Sequence, residues 1–333
     1  MAEPFVLGIE IGGTKLQLAV GHGDGRLVAV ECLEVDAAKG GEGIRRALQA
    51  AFDPMLARLG MSSDRIIAVG IGFGGPVDRR TGCVLTSNQI GGWTGYPIAN
   101  WARQAFSVER VALENDADTA AFAEARFGAG VGLSPVLYVQ VGSGIGGGLI
   151  IDDQIYRGSG LGAVEIGHLW ISESSRLNDP GQTLEQVASG WSIAQMGRLC
   201  LEREFREGWP AGQLHDLCGG DPSQIRAEIV ATAARLGDPD ACRILTAATT
   251  AVGSALAQAA TLLAPKRIIL GGGVSQVGEE HWLGPIRREV DRRLFPPFRG
   301  TFDVVAASLG QLVVVHGALG LARDAARAEV SLR

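Results

Sequence analysis

Short apolar runs closed by glycine set the pattern of this chain. Two of them, Val6-Leu7-Gly8-Ile9-Glu10-Ile11-Gly12 and Val136-Leu137-Tyr138-Val139-Gln140-Val141-Gly142, lie 130 positions apart and repeat one another. Each passes through a glycine-rich turn into a second apolar run, at 16–20 in the first copy and 148–151 in the second. A brief apolar run bounded by turn residues reads as a buried strand, so each copy predicts a hairpin. Residues 5–35 read as three strands joined at Gly12-Gly13 and Asp24-Gly25. The period then changes: Ile44, Leu48, Phe52 and Leu56 share one face of a helix over 41–60. A buried strand at 66–73 runs into Gly74-Gly75-Pro76, followed by a helix at 98–106, a strand at 108–113 and a helix at 117–127. The order restarts at Val136. Residues 189–264 are mainly helical, interrupted near Pro210 and Gly219-Gly220. A strand at 267–270 ends in Gly271-Gly272-Gly273-Val274 ahead of a predicted helix, and a strand at 302–306 precedes a helix starting near Val315. Strands alternating with helices in two similar series predict an α/β architecture built by duplication.

Composition narrows the function. With 333 residues, 46% of them apolar and 20% charged, the chain has material for two domains of a globular enzyme. Net charge is −6, which opposes a nucleic-acid footprint. The 48 glycines are about twice the usual share of roughly 7%, and they fall in turns. Five scattered cysteines without a C-x-x-C pair, and no signal-peptide pattern at the N-terminus, predict a reducing, cytoplasmic setting. The uncharged stretch 244–265 is rich in Ala, Thr and Ser, which suits a helix buried against a sheet better than a membrane span.

The duplicated turns carry the first chemistry. Successive backbone N–H groups in such turns form anion-binding concavities, because glycine permits close approach and positive φ. The first turn adds Thr14 and Lys15, and the second adds Ser143. Two clamps on one polyphosphate are the reading, although a plain hairpin turn also explains Gly12-Gly13 taken alone. Glu10 beside the first turn suits magnesium, held directly or through water. Gly271-Gly272-Gly273 at a strand end is either a tight turn or a seat for a nucleotide base or ribose. Glu114-Asn115-Asp116 opens a helix: Asn and Asp are preferred caps, and Asp116 is alternatively a general base toward a substrate hydroxyl. Glu165-Ile166-Gly167-His168 offers a core histidine or, with Glu185, polar partners for a polyol.

Taken together, Ile9 to Lys15, Gly72-Phe73-Gly74-Gly75-Pro76-Val77-Asp78, Glu114 to Asp118, Gly142-Ser143-Gly144-Ile145-Gly146-Gly147, Glu165 to His168 and Gly271 to Val274 resemble the ROK family of sugar kinases and sugar-responsive repressors. The resemblance spans about 7–320. It implies two duplicated ribonuclease-H-like domains of the actin/hexokinase-like fold: 1–117 with about 316–333, and 118–315, with an interdomain cleft. It further implies ATP-dependent phosphorylation of a hexose, commonly at O6 of glucose, with Asp116 as base and ATP and Mg2+ as cofactors. Gly75, Asn88, Asn115, Asp116, Glu165, His168 and Glu185 would meet the sugar. Glu10, Gly12, Gly13, Thr14, Lys15, Gly142, Ser143, Gly144, Gly272 and Gly273 would hold the nucleotide, Glu10 through magnesium. A homodimer or homotetramer without nucleic-acid or membrane partners is the assembly it implies.

Three departures stand out. Glu10 occupies a position where the family usually has Asp, moving the carboxylate by about one C–C bond, roughly 1.5 Å. Val164 replaces a glycine before Glu165. Residues 172–185 contain no cysteine where the family has a zinc loop, so no zinc site is expected and His168 must be oriented by hydrogen bonds. Two other readings stand beside glucose phosphorylation: a kinase for an N-acetylated amino sugar, and a catalytically weak sugar-binding regulator. Repressors of the family carry an N-terminal helix-turn-helix, and the five residues before the first strand leave no room for one.

Overall fold

The computed structural model describes residues 4–87, 89–160, 162–172, 181–207 and 212–327. The expected three strands are β1 (Phe5–Ile11), β2 (Leu16–Gly21) and β3 (Leu27–Leu33), an antiparallel meander. Helix α1 (Gly40–Arg58) buries Ile44, Leu48, Phe52 and Leu56 as its period required, together with Met55. Strand β4 (Ile66–Phe73) pairs parallel with β1. A short hairpin of β5 (Val77–Asp78) and β6 (Cys83–Val84) leads to α2 (Ile98–Phe106). Strand β7 (Val111–Asn115) starts later than the apolar pattern suggested and ends later, carrying Glu114 and Asn115 into the sheet. Helix α3 (Asp116–Phe127) follows without an intervening loop. The first sheet has the order β3-β2-β1-β4-β7.

The second series repeats this plan with β8 (Val136–Val141), β9 (Ile145–Ile151) and β10 (Gln154–Ile155). A small ladder of β11 (Trp170–Ser172) and β12 (Gln182–Thr183) precedes α4 (Leu184–Ala188), α5 (Gly190–Glu207), α6 (Gln213–Leu217), α7 (Ala227–Arg235) and α8 (Pro239–Leu263). Then come β13 (Arg267–Gly271), α9 (Gly284–Arg293), β14 (Asp303–Ala306) and α10 (Val313–Arg327). The second sheet runs β10-β9-β8-β13-β14, the same order of meander strands followed by parallel ones. Helix α8 was expected on a sheet; its principal neighbours are α4, α5, α7 and α9 instead. Its alanines serve helix-to-helix approach, and among the described residues no helix is long and apolar enough to cross a membrane.

By internal contacts the chain divides into two compact units, Met1–Gly132 with Gly148–Ala163 and Ser308–Arg333, and Leu133–Gly147 with Val164–Ala307. This division differs from the one by duplication at about residue 117, which the repeated strand order motivates and which we retain as a proposal. Within the first unit α10 packs on β1, β4 and α3. A buried carboxylate ties these pieces together. Glu124 of α3 accepts hydrogen bonds from the N–H groups of Ala129, Ser308 and Leu309, each 2.8 Å long, and from Ser308 Oγ at 3.0 Å. A buried charge is tolerated only when its lone pairs are filled in this way. Replacing Glu124 with Ala strands three part-buried N–H groups, so a loss of about 2 kcal/mol is expected in urea unfolding. A loss below about 0.5 kcal/mol would show that Glu124 does not hold this junction.

Candidate active site

Strand register assembles the first group of residues. Ile11 pairs with Phe73, and Phe73 with Asn115, so three parallel strands end in one row. Ligands of open α/β sheets bind beyond such carboxyl ends. One residue past the row stand Gly12, Gly74 and Asp116. The N–H of Gly74 donates to Ile11 O at 2.7 Å, and that of Gly12 donates to Lys15 O at 2.8 Å. A Cβ on Gly74 would crowd Gly12 Cα at 3.2 Å and Ile11 O at 3.3 Å and reach ordinary contact with Asp116 Oδ2 at 3.6 Å, so the three residues lie together at this point.

The two readings of Glu114-Asn115-Asp116 separate here. Asn115 is the cap of α3: its Oδ1 accepts from Ala117 N at 2.9 Å and Asp118 N at 3.3 Å. Its Nδ2 donates to Gly75 O at 3.2 Å, fixing the turn after β4. Asp116 is therefore the first residue of the helix rather than its cap. Its half-buried carboxylate sits in the first turn of α3, at the helix N-terminus. Arg157 grips the buried Glu114 through Nε at 2.8 Å and through Nη2, bracing the strand end.

Glu10 lies in β1 beside this group and is only 6% exposed. Its Oε2 is buried without a hydrogen-bond partner among the described residues. Burial pushes its pKa from the ordinary 4.5 up to about 7, with Lys15 lowering it and Asp116 raising it. An unsatisfied buried carboxylate oxygen beside a second carboxylate is suited to a divalent cation. Lys15 Nζ donates to Gln311 O at 3.1 Å, a partner that nothing in the sequence announced. Thr14 is exposed, and Gly13 lies under the Gln89 side chain. Asn88 lies outside the described residues.

The second group is in the second unit. The turn here is Gly142–Ser143–Gly144 only; Ile145 onward is strand, so Gly146 and Gly147 belong to β9 rather than to the turn as expected, and the strand expected from Gly148 starts three residues earlier. Gly142 N–H donates to Gly144 O at 2.9 Å, while Gly190 N–H donates to Gly142 O at 2.8 Å and Trp191 N–H to Ser143 O at 3.3 Å. Contrary to expectation, Gly12, Gly13, Gly142 and Gly144 all avoid positive φ. Close approach is the reason for glycine at 144: a Cβ there would lie 2.6 Å from Glu185 Oε2. Positive φ is used at Gly272, at +88°, where the backbone leaves β13 against Val141. Beyond exposed Gly273 the chain makes a 3-10 turn, Val274–Val277, in place of the expected regular helix.

Glu165 and His168 flank a 3-10 turn at Ile166–His168, closed by His168 N–H to Glu165 O at 3.0 Å. Ile166 and Gly167 are buried, Gly167 against Ile145 O, while Glu165 and His168 are exposed. This excludes a core role for His168. Glu185 stands in the first turn of α4, whose start is fixed by a reciprocal Thr183–Gln186 capping box, and accepts Ile145 N–H at 2.7 Å. Glu185 and the second turn thus meet at Ile145, whose carbonyl lies against Gly167 in the turn between Glu165 and His168. Among the described residues no group of three or more His, Cys, Asp or Glu side chains is arranged to hold a metal; residues 173–180 lie outside them.

Two of these features predict behaviour. Native Glu10 holds its proton up to about pH 7, whereas the unfolded chain releases it near 4.5. Stability drawn from neutral Glu10 is therefore complete below about 4.5 and is lost as pH rises through about 7, up to about 3 kcal/mol at roughly 1.4 kcal/mol per tenfold change in proton affinity. Urea unfolding with chelator at pH 5 and pH 8 should show this loss in wild type and little of it in Glu10→Gln; equal losses contradict the assignment. Val164 takes φ +62°, a left-handed conformation that is strained for a β-branched residue. Relief of about 1–2 kcal/mol exceeds the unfolded-state cost of glycine, about 0.5–1 kcal/mol, so Val164→Gly should raise the thermal midpoint. A clear fall would show that the Val164 side chain, packed on Gly147, outweighs its backbone strain.

The chain matches the ROK family over residues 6–325. It is 33% identical over 323 residues to a glucokinase of Streptomyces coelicolor, covering 96% of this chain and 98% of that one. It is 29% identical over 330 residues to a glucokinase of Thermotoga maritima, covering 97% and 99%. The structure of a ROK family glucokinase from Streptomyces griseus in complex with glucose and AMPPNP aligns with a TM-score of 0.81 at 33% identity, covering 96% of this chain and 99% of that one. The repeated sheets are those of the actin/hexokinase-like ATPase fold, and the protein is a member of the ROK family.

Proposed function

We propose that this protein is an ATP-dependent hexose kinase that phosphorylates O6 of glucose or a closely related sugar. The observation that carries the reading is the convergence of Gly12, Gly74 and Asp116 past three aligned strand ends, with buried Glu10 behind them. A sugar hydroxyl held at Asp116 gives up its proton to the carboxylate as its oxygen attacks the γ-phosphorus. The bond from that phosphorus to the β–γ bridging oxygen breaks, and ADP leaves. Such transfers pass through a loose transition state in which positioning counts for more than base strength, so a carboxylate at a helix N-terminus suffices.

Asn115, fixed by its capping bonds, holds Gly75 and Asp116 in one geometry. Glu165, His168 and Glu185, with Asn88 and Gly75, are our candidates for the remaining sugar contacts. Thr14, Lys15, Ser143 and the bare backbones of both turns are those for the phosphates, and Gly272 and Gly273 those for the adenosine. Magnesium would be held at Glu10, with Asp116 adding to the field that retains it, and would supply positive charge to the phosphates. The buried, unpartnered Oε2 of Glu10 is what supports this assignment.

ADP release with MgATP across a panel of hexoses and N-acetylated amino sugars decides both turnover and acceptor. Sugar-dependent release is expected, greatest with glucose; greatest release with an amino sugar moves the acceptor, and none with any sugar favours the regulator. Asp116→Asn should abolish transfer while sugar affinity stays within about tenfold, about 1.4 kcal/mol. Substantial residual turnover in that variant removes Asp116 from the mechanism.

A further inference from the structure

Glu185 is placed above among the sugar contacts, yet among the described residues its carboxylate is bonded elsewhere. Oε2 accepts the N–H of Ile145, a buried residue that begins β9 directly after the second glycine turn. The neighbouring peptide groups are committed as well. The carbonyls of Gly142, Ser143 and Gly144 accept from Gly190, Trp191 and Gly142, and the N–H of Gly142 is spent closing the turn. Among the described residues this leaves the N–H groups of Ser143 and Gly144, and the Ser143 hydroxyl, as the donors that the turn can offer an anion. By occupying the next N–H in line, Glu185 ends the row of donors at Gly144. A carboxylate at that place also repels a phosphate that would slide toward Ile145. Gly144 belongs to the same arrangement, since a Cβ would lie 2.6 Å from Oε2 and push the carboxylate off.

We infer that Glu185 is a positioning residue for the nucleotide phosphates, setting the register of the Gly142–Gly144 turn through the Ile145 N–H independently of any sugar it also meets. The inference rests on the proposed function, in which this turn receives the phosphates. A carboxylate that only binds sugar has no effect on nucleotide affinity when sugar is absent. The hydrogen bond and the charge act in opposite directions, and two variants separate them. Glu185→Gln keeps an oxygen for Ile145 N–H and removes the negative charge beside the phosphates. Glu185→Ala removes both.

The test is the affinity for MgAMPPNP without sugar, by isothermal titration, with circular dichroism confirming that each variant is folded. Glu185→Gln should bind as tightly as wild type or a few-fold more tightly, and Glu185→Ala about tenfold more weakly or worse. Gly144→Ala should weaken binding in the wild-type background and add little in the Glu185→Ala background, because the contact it disturbs is already gone. If wild type binds no MgAMPPNP, the proposed function fails. If wild type binds and both Glu185 variants match it, that function stands and the positioning role is overturned. A Glu185→Gln loss as large as that of Glu185→Ala also overturns it, because the hydrogen bond to Ile145 is then not what matters.

Discussion

Parallel register between β1, β4 and β7 is the constraint from which the candidate site follows. Because Ile11, Phe73 and Asn115 stand in one row, the next residue of each chain segment emerges at the same level. Two of those residues are glycines and the third is Asp116, whose carboxylate is the one side chain that this row contributes. A slip of one residue in any of these strands would turn the row over and bury the acid or send it to the wrong face. The apolar strand faces packed against α1 and α10 oppose such a slip, since they must stay covered. Core packing and site geometry are in this sense one requirement.

Electrostatics gives the site its second property. Glu10 is carried into the interior by the strand that also carries core residues Ile9 and Ile11, and among the described residues it finds no donor for one oxygen. A protein of marginal stability retains such a cost only where something else draws on it. The cation proposed there would satisfy the orphaned oxygen and offset both the burial that chiefly raises the Glu10 pKa and the lesser repulsion from Asp116. The second unit solves a similar problem differently. There the turn carbonyls are tied back by Gly190 and Trp191 and the Ile145 N–H by Glu185, which leaves a short row of donors facing outward.

Much of this was legible in the sequence, and the reasons for the rest are physical. The hairpins, β4 and α2 followed from runs and periods that only one kind of element can satisfy. Asp116 and Asn115 were recognisable as a pair, but their division of labour was not, since both residue types cap helices and only backbone angles decide which one does. The limits of the second turn were misjudged because glycine reads as turn, while Gly146 and Gly147 already lie in a strand; the Cβ that Gly147 lacks would press on Val164. β7 shifted because polar Glu114 and Asn115 do not look like strand, and Arg157 supplies the partner that lets Glu114 be buried there. The contacts of Glu124 with Ser308 and of Lys15 with Gln311 span 184 and 296 positions, and no local pattern encodes a pairing of that kind.

The proposed chemistry requires a sugar alcohol and the terminal phosphorus of a nucleotide to meet at the Asp116 carboxylate. A crystal structure with glucose and MgAMPPNP bound tests that requirement most directly. A glucose hydroxyl is expected within about 2.6–3.2 Å of an Asp116 oxygen and directed at the γ-phosphorus. A bound sugar with no oxygen near Asp116 would contradict it.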